Sequence, residues 1–114
     1  MKKLLCSLFA LSAVSTAMAQ EVNIKLLGTS DVHGRIVPWS YGADVEDKSG
    51  SYAQIATYVK DVRKNNKNVV LVEVGDAIQD NQIDVFAKDK KYYKDHPIPK
   101  VLNEMKYDVF VLGN

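Results

Sequence analysis

Three short segments of the chain carry side chains that are suited to binding metal ions. Asp31 and His33 lie in the first segment, Asp76 in the second and Asn114 in the third, and each segment follows an apolar run. A carboxylate oxygen, an imidazole nitrogen and an amide oxygen together suit Zn, Mn or Fe. A lone Asp-x-His pair often occurs by chance. Metal-binding residue types that follow each of three apolar runs are less easily explained by chance, and together they predict one metal site.

The apolar runs predict the strands that would bring these residues together. They cover residues 22–27, 68–74 and 108–112, and the second is apolar on both faces, as expected for a central strand covered on each side. The third is likewise predicted to be buried. Parallel strands end at one edge of a sheet, about 5 Å apart between neighbours. If the first segment stays extended, the side chains of Asp31 and His33 leave on the same side, about 7 Å apart at the backbone.

Two helices are predicted between the strands. Residues 51–65 begin with a capping box, in which Ser51 and Gln54 satisfy free backbone donors. Their apolar stripe is Tyr52, Ile55, Ala56, Val59 and Val62. The other helix begins at 97–99, where proline is tolerated in the first turn, and its stripe is Ile98, Val101, Leu102 and Met105. The order strand, helix, strand, helix, strand predicts an α/β fold with parallel strands and right-handed crossovers.

The segment 35–50 is predicted to be a long loop, and loops of this length in compact domains are often functional. Its aromatic residues Trp39 and Tyr41 either pack onto their own domain, which is favoured, or stack on a flat ligand. Arg35 either binds phosphate, for which a guanidinium group is suited, or pairs with Asp44 or Glu46.

Three further features have open or minor roles. Glu73 interrupts the second apolar run and either supports the site edge or is held by its neighbours. His96 is expected at the surface or at the start of a helix, and less readily as a metal ligand. The apolar residues of segment 80–94 predict a short helix around Ile83.

The first 19 residues have the features of a signal peptide. Lys2 and Lys3 form a basic head, an apolar stretch follows, and Ala17-Met18-Ala19 is a small-x-small cleavage site before Gln20. The stretch is too short to predict a stable membrane anchor. Its removal would leave 13 basic and 14 acidic residues and no cysteine. The sequence thus predicts an exported protein, periplasmic or extracellular, whose metal ligands are oxygen and nitrogen atoms.

The formal charge of the whole chain is +1, which gives no reason to expect binding to a nucleic-acid polymer. The clustered lysines of segment 88–94 are better explained as a solvated surface.

The combination of Asp-x-His, Gly-Asp and Gly-Asn resembles the opening half of the calcineurin-like metallophosphoesterase signature. Segments 29–35 and 75–81 are similar to the exported branch of 5′-nucleotidases and 2′,3′-cyclic-nucleotide 2′-phosphodiesterases, as are His96-Pro97 and Tyr107-Asp108. The resemblance implies that residues 20–114 are the N-terminal part of such a catalytic domain. They would form a partial β-α-β-α-β unit of the four-layer α/β/β/α fold.

The resemblance also implies a role for each candidate ligand. Asp31 and His33 would bind the first of two divalent metal ions, drawn from Zn, Mn, Fe or Co. Asp76 would bridge both ions, and Asn114 would bind the second ion and contact the substrate phosphate. The implied reaction is hydrolysis of nucleotide or cyclic-nucleotide phosphoesters by a longer protein. In the family a catalytic histidine follows the Gly-Asn pair, and at least half of the second ion's ligands would lie beyond Asn114. The 114 residues alone are therefore expected to be inactive.

Two alternatives of different kinds stay open from the sequence. The longer protein could act on another phosphoester, such as a UDP-sugar, or it could be a non-catalytic exported binding protein that retains the fold. A purely structural reading, in which the polar residues only cap strand ends, gives no reason for His33.

Overall fold

The predicted strands and helices occur in the expected order, and two short strands that were not predicted lie within segment 35–50. A computed structural model describes residues 20–79, 82–89, 91 and 96–113. The predicted signal peptide, residues 1–19, and the predicted ligand Asn114 lie outside the described residues. The elements are β1 (Lys25–Thr29), β2 (Trp39–Ser40), β3 (Val45–Glu46), α1 (Tyr52–Asn65), β4 (Val69–Glu73), α2 (Gln82–Lys88), α3 (Pro97–Glu104) and β5 (Val109–Phe110).

The main sheet has three parallel strands in the order β1, β4, β5. All five residues of β1 pair with β4, from Lys25 opposite Val69 to Thr29 opposite Glu73, whereas β5 pairs with β4 at only two positions. The predictions of parallel strands and of a central second strand are confirmed. The first strand starts three residues later than predicted and continues through Thr29, because its pairing with β4 extends that far.

One face of this sheet is covered by the helices. Leu71 and Glu73 of β4 are fully buried on that face, whereas Leu26, Val74 and Val109 are 69, 55 and 50% exposed. The predictions that β4 is covered on both sides and that the last strand is buried are therefore wrong for the described residues. The reason is that α1 and α3 contribute to one core cluster and leave the opposite face without a covering layer.

Helix α1 begins where its sequence predicts, but only half of the predicted capping box is present, because the Gln54 Oε1 accepts from the Ser51 hydroxyl at 2.9 Å rather than from a backbone N–H. Ser51 is fully buried at the N-cap, and its hydroxyl accepts a hydrogen bond from the backbone N–H of Gln54 at 3.4 Å. Tyr52 and Val59 of the apolar stripe are buried. At the other end, the Arg63 guanidinium donates hydrogen bonds to carbonyls at the end of α3, which fixes the two helices together.

Helix α3 begins at the predicted prolines and buries Ile98 and Leu102 in the core cluster that α1 shares. His96 is its N-cap, since its Nδ1 accepts a hydrogen bond from the Ile98 N–H at 3.2 Å. The expectation of a helix-start histidine is confirmed. The short helix predicted around Ile83 is present as α2.

The segment 35–50 is not entirely a loop. Strands β2 and β3 form a small antiparallel pair, with Trp39 opposite Glu46 and Ser40 opposite Val45.

Within the described part of the chain, no helix is both long enough and apolar enough to cross a membrane.

Candidate metal centre

Backbone hydrogen bonds join the three segments that carry the predicted ligands. The Asp31 N–H donates to the Gly75 carbonyl at 3.0 Å, and the His33 N–H donates to the Asp76 carbonyl at 3.1 Å. On its other side, the Asp76 N–H donates to the Leu112 carbonyl at 3.3 Å. The ends of the three parallel strands therefore meet at one edge of the sheet, and Asp76 lies between the other two segments.

The three predicted ligands in the described part of the chain share a left-handed backbone. The φ angles are 56° at Asp31, 50° at His33 and 57° at Asp76. Non-glycine residues adopt this conformation uncommonly, and such residues cluster at functional sites.

The expectation that residues 31–33 stay extended is wrong. The Gly34 N–H donates to the Ala77 carbonyl at 2.7 Å, next to the hydrogen bonds made by Asp31 and His33. These N–H groups bind successive carbonyls beyond β4, and the Arg35 N–H closes a turn onto the Val32 carbonyl at 3.1 Å. Contacts with a distant segment, rather than strand alternation, thus set the backbone of the first two ligands.

The turn nevertheless brings the side chains of Asp31 and His33 together. The His33 Nε2 lies 4.0 Å from the Asp31 Oδ1, and the two side chains are 36% and 63% exposed. The His33 Nδ1 is 3.2 Å from the Gln79 carbonyl oxygen. Because a carbonyl can only accept, Nδ1 carries a proton, and in the neutral imidazole Nε2 would present its lone pair on the side of Asp31. Metal-binding histidines usually have their second nitrogen fixed in this way.

Glycine is required beside Asp76. Gly113 has φ of 87°, and a Cβ added there would lie 2.3 Å from the Asp76 Oδ1. A Cβ added at Gly75, where φ is 132°, would lie 2.9 Å from the Gly113 Cα. Both distances are shorter than real Cβ contacts, so only glycine allows these two strand ends to approach this closely.

The described residues assemble only part of the predicted donor set. No group of three or more His, Cys, Asp or Glu side chains among them is arranged to hold a metal ion. The pair of Asp31 and His33 presents one carboxylate and one imidazole, which fits the donors that Zn, Mn or Fe prefers. Asp76 joins this pair through backbone contacts. The assignment of all four predicted ligands stays a prediction.

A buried hydrogen-bond network lies at the ends of β1 and β4. The Glu73 carboxylate is fully buried and accepts hydrogen bonds from the Thr29 hydroxyl at 2.7 Å and the Tyr52 hydroxyl at 3.3 Å. It also accepts from the Gly75 N–H at 3.4 Å, and the Tyr107 hydroxyl lies 2.9 Å from the Thr29 Oγ1. Glu73 is therefore held by its neighbours, and one of those neighbours directly precedes Asp76.

Burial raises the pKa of both tyrosine phenols in this network, Tyr52 and Tyr107. It raises the pKa of Tyr52 well above its ordinary value, and the nearby Glu73 carboxylate raises it further. Burial likewise raises the pKa of Tyr107, although its hydrogen bond with Thr29 acts in the opposite direction. A carboxylate inside an apolar strand was the sequence signal for this network. Nothing in the sequence marked the two tyrosines as its members.

Arg35 is engaged within its own segment. Its guanidinium forms an ion pair with Asp47, with Nη1 3.5 Å from Oδ2, and it donates hydrogen bonds to the Ser49 hydroxyl and the Gly50 carbonyl. Of the two roles left open by the sequence, ion pairing is the one present, and the partner is Asp47 rather than Asp44 or Glu46.

Several known proteins that are similar to this chain are named as nucleotide phosphoesterases or nucleotidases. The trifunctional nucleotide phosphoesterase YfkN of Bacillus subtilis is 36% identical over 104 residues, which cover 84% of this chain and 7% of that protein. The 2′,3′-cyclic-nucleotide 2′-phosphodiesterase/3′-nucleotidase of Haemophilus influenzae is 35% identical over 113 residues, which cover 95% and 17%. The snake venom 5′-nucleotidase of Naja atra is 31% identical over 94 residues, which cover 80% and 17%. The chain thus spans less than a fifth of the length of these relatives.

A solved structure is similar in fold as well. The crystal structure of the calcineurin-like phosphoesterase YfkN from Bacillus subtilis matches with a TM-score of 0.71 and 33% identity. The match covers 78% of this chain and 28% of that one. No model of a known protein family matches the chain.

Proposed function

Because the chain belongs to the calcineurin-like phosphoesterases, we propose that residues 20–114 form the N-terminal part of the catalytic domain of a metal-dependent nucleotide phosphoesterase. The proposed substrates are nucleotides and 2′,3′-cyclic nucleotides, which similar proteins are named for hydrolysing. The chain spans only a small share of those proteins, so the activity is assigned to the longer protein and the 114 residues alone are expected to be inactive.

The observation that carries this proposal is the meeting of the three strand ends. Hydrogen bonds from Asp31 to Gly75 and from Asp76 to Leu112 hold the ligand-bearing segments side by side. The residues that follow His33 and precede Asp76 are buried glycines, Gly34 and Gly75, and the absence of a Cβ at Gly75 lets it lie against the backbone of Gly113. A structural role for the polar residues would require neither the fixed orientation of the His33 ring nor the glycine contacts around Asp76.

The predicted ligands divide between two divalent ions. Asp31 and His33 would hold the first ion, Asp76 would contact both, and Asn114 would hold the second and contact the substrate phosphate. Bound in this way, the ions would supply positive charge against the phosphoryl oxygens and lower the pKa of a water molecule toward neutrality.

The protein's own contribution is to hold these donors in place before substrate binds. The hydrogen bond from the His33 Nδ1 to the Gln79 carbonyl orients the ring, so that Nε2 would face the ion. Gly113 leaves room for the Asp76 carboxylate against the backbone of the last strand. Asp31 is largely exposed and faces solvent, from which substrate would approach.

The proposal includes export of the protein. Residues 1–19 would act as a signal peptide, and the mature protein would begin at Gln20. Mass spectrometry of the N-terminal peptide from the native host tests this point. Cleavage is contradicted if the N-terminal peptide still contains the initiator methionine or Lys2, and export is contradicted if the protein is recovered in the cytoplasmic fraction.

The enzymatic test uses the intact protein, stripped of metal with a chelator and assayed on 2′,3′-cyclic AMP and on p-nitrophenyl phosphate. We expect hydrolysis only after addition of Mn, Co or Zn. Asp76→Asn should lower kcat/KM by about 100-fold or more, because an amide has one neutral oxygen and cannot supply an anionic oxygen to each of two cations. Asp61→Asn, an exposed residue of α1, is the matched control and should retain the wild-type rate.

Each result has a distinct meaning. Equal activity of Asp76→Asn and Asp61→Asn would exclude the bridging role. Metal uptake without hydrolysis of either substrate would favour the binding-protein alternative. Selective turnover of a UDP-sugar, assayed in parallel, would favour the other phosphoester.

A further inference from the structure

A short exposed arm leads into strand β1. Residues 20–24 form no regular secondary structure, and all of them are exposed. The sheet holds this arm at Asn23, whose backbone carbonyl accepts a hydrogen bond from the Asn68 side-chain amide at 3.1 Å. The Lys25 N–H then donates to the Asn68 carbonyl at 2.9 Å, where β1 begins. Gln20 therefore lies three residues before the point at which these contacts tie the arm to the sheet.

The arm leaves the sheet on the side away from the predicted metal ligands. Strand β1 runs from Lys25 to Thr29, and Asp31 follows its other end. At about 3.3 Å per residue, the two ends of this strand are roughly 13 Å apart. A chemical change at Gln20 should therefore leave the geometry of the ligands unaffected.

Removal of residues 1–19 would give Gln20 a free α-amino group. Because α-amino groups titrate near neutral pH, part of the population is the unprotonated nucleophile. The amide carbonyl carbon of the same side chain lies within its reach, and a bond between the two closes an unstrained five-membered ring. Such intramolecular reactions are strongly favoured over bimolecular ones. Glutamines inside the chain, such as Gln54 and Gln79, have an amide nitrogen in place of this amine and cannot react in this way.

We propose that Gln20 of the mature protein is a modification site, at which the N-terminal glutamine is converted to pyroglutamate. The unprotonated α-nitrogen attacks the side-chain Cδ, the new N–Cδ bond closes the lactam, and the Cδ–Nε2 bond breaks. One proton of the α-amine passes to the leaving nitrogen, which departs as ammonia, so no oxidant or second substrate is required. The proposal rests on the proposed export, because cleavage before Gln20 creates the reacting amine.

The conversion protects the exposed arm. Exposed chain termini are preferred sites of proteolysis, and an aminopeptidase requires the free α-amine that the lactam lacks. The ring fixes the backbone at residue 20, which an arm without regular secondary structure accommodates. The mature protein should therefore keep its N-terminus in the presence of aminopeptidases.

The test uses the mature protein isolated from its native host. Its tryptic N-terminal peptide, residues 20–25, should be lighter than the linear peptide by the mass of one ammonia. Edman degradation should give no first residue until a pyroglutamate-specific peptidase has removed the ring. An isotope-labelled linear peptide of the same sequence, added before digestion, measures cyclisation during sample preparation. A cyclised fraction in the protein no larger than in the added peptide would overturn the proposal.

Gln20→Asn is the matched control variant. Ring closure from an N-terminal asparagine would need a strained four-membered lactam, so this variant should keep a free α-amine. A broad-specificity aminopeptidase should shorten Gln20→Asn and leave the wild type intact. Equal shortening of the two proteins would overturn the proposal, as would an N-terminus of Gln20→Asn that is blocked to the same extent as the wild type. Because the arm lies at the far end of β1 from the ligands, kcat/KM should be the same in both proteins.

The outcomes separate this inference from the proposed function. A linear Gln20 with a free α-amine would overturn the lactam, while export and the phosphoesterase activity stand. An N-terminus at Met1, or at any residue other than Gln20, would overturn both the cleavage site and the lactam. A cyclised protein that hydrolyses no phosphoester would confirm the modification and refute the proposed reaction.

Discussion

Removal of the Glu73 carboxylate is expected to destabilise the fold more than any other single change at the strand ends. The carboxylate is fully buried and accepts hydrogen bonds from the Thr29 hydroxyl, the Tyr52 hydroxyl and the Gly75 N–H. In Glu73→Ala, the Thr29 hydroxyl can turn to Tyr107, which lies 2.9 Å away. The other two donors lose the acceptor that the structure gives them.

The size of the effect follows from these contacts. A buried donor left unpaired costs about 1–3 kcal/mol, and the two affected bonds, at 3.3 and 3.4 Å, belong at the lower end. The cavity left by the missing side chain adds about 1–2 kcal/mol. Glu73→Ala should therefore lower the free energy of unfolding by about 3–5 kcal/mol. Glu73→Gln keeps the volume and one acceptor oxygen, and should cost only about 1–2 kcal/mol.

Urea unfolding of the intact protein, followed by circular dichroism, gives the difference from the shift in midpoint. Hydrogen exchange of the β4 amides assigns that difference to this sheet. Glu104→Ala, which removes an exposed carboxylate from α3, is the control and should stay within about 0.5 kcal/mol of the wild type. A cost below about 1 kcal/mol for Glu73→Ala, or equal costs for Ala and Gln, would refute the reasoning.

Two further predictions concern the same strand ends. Gly113→Ala should lower the free energy of unfolding by about 1–3 kcal/mol and weaken Mn affinity, because its Cβ would meet the Asp76 Oδ1 at 2.3 Å. Urea unfolding and metal titration measure these two effects. Gly42→Ala is the control and should change neither quantity, because its Cβ meets no atom within 4 Å. The buried Tyr52 phenol has a raised pKa, so its stabilisation is fully present below about pH 10 and is lost as the pH rises further. Tyr52→Phe should therefore be less stable than wild type at pH 7, for want of the hydrogen bond to Glu73, but should lose less stability between pH 7 and pH 11. Equal alkaline losses in the two proteins would contradict this assignment.

The predictable part of the molecule depends on local sequence. Ser51 identified the start of α1 because an N-cap acts within four residues, and the apolar stripe then identified the buried side of the helix. The parallel arrangement of the strands was also predictable from the sequence, since long helical connections between apolar runs leave few other arrangements. In both cases the decisive interactions are near in sequence or imposed by general topology.

The unpredictable part depends on contacts between distant segments. The left-handed backbone of Asp31 and His33 is imposed by carbonyls more than 40 residues away, at Gly75 and Asp76, and neither residue type specifies it. The ion pair between Arg35 and Asp47 depends in the same way on the pairing of β2 with β3. The sequence identifies the candidate residues, such as Arg35, but which of several possible partners each one contacts depends on how distant segments pair in the fold.

Stability and site geometry are coupled at the strand ends. The left-handed conformations of Asp31, His33 and Asp76 each carry a backbone cost that persists only where surrounding contacts over-determine it. The Glu73 network supplies such a contact, since the Gly75 N–H donates a hydrogen bond to the Glu73 carboxylate. This bond fixes the residue whose carbonyl accepts from the Asp31 N–H. A single chain of contacts therefore runs from the buried carboxylate to the first predicted ligand. Substitutions of Glu73 should for this reason weaken metal binding even in a variant that remains folded, whereas exposed substitutions of similar chemistry elsewhere should not.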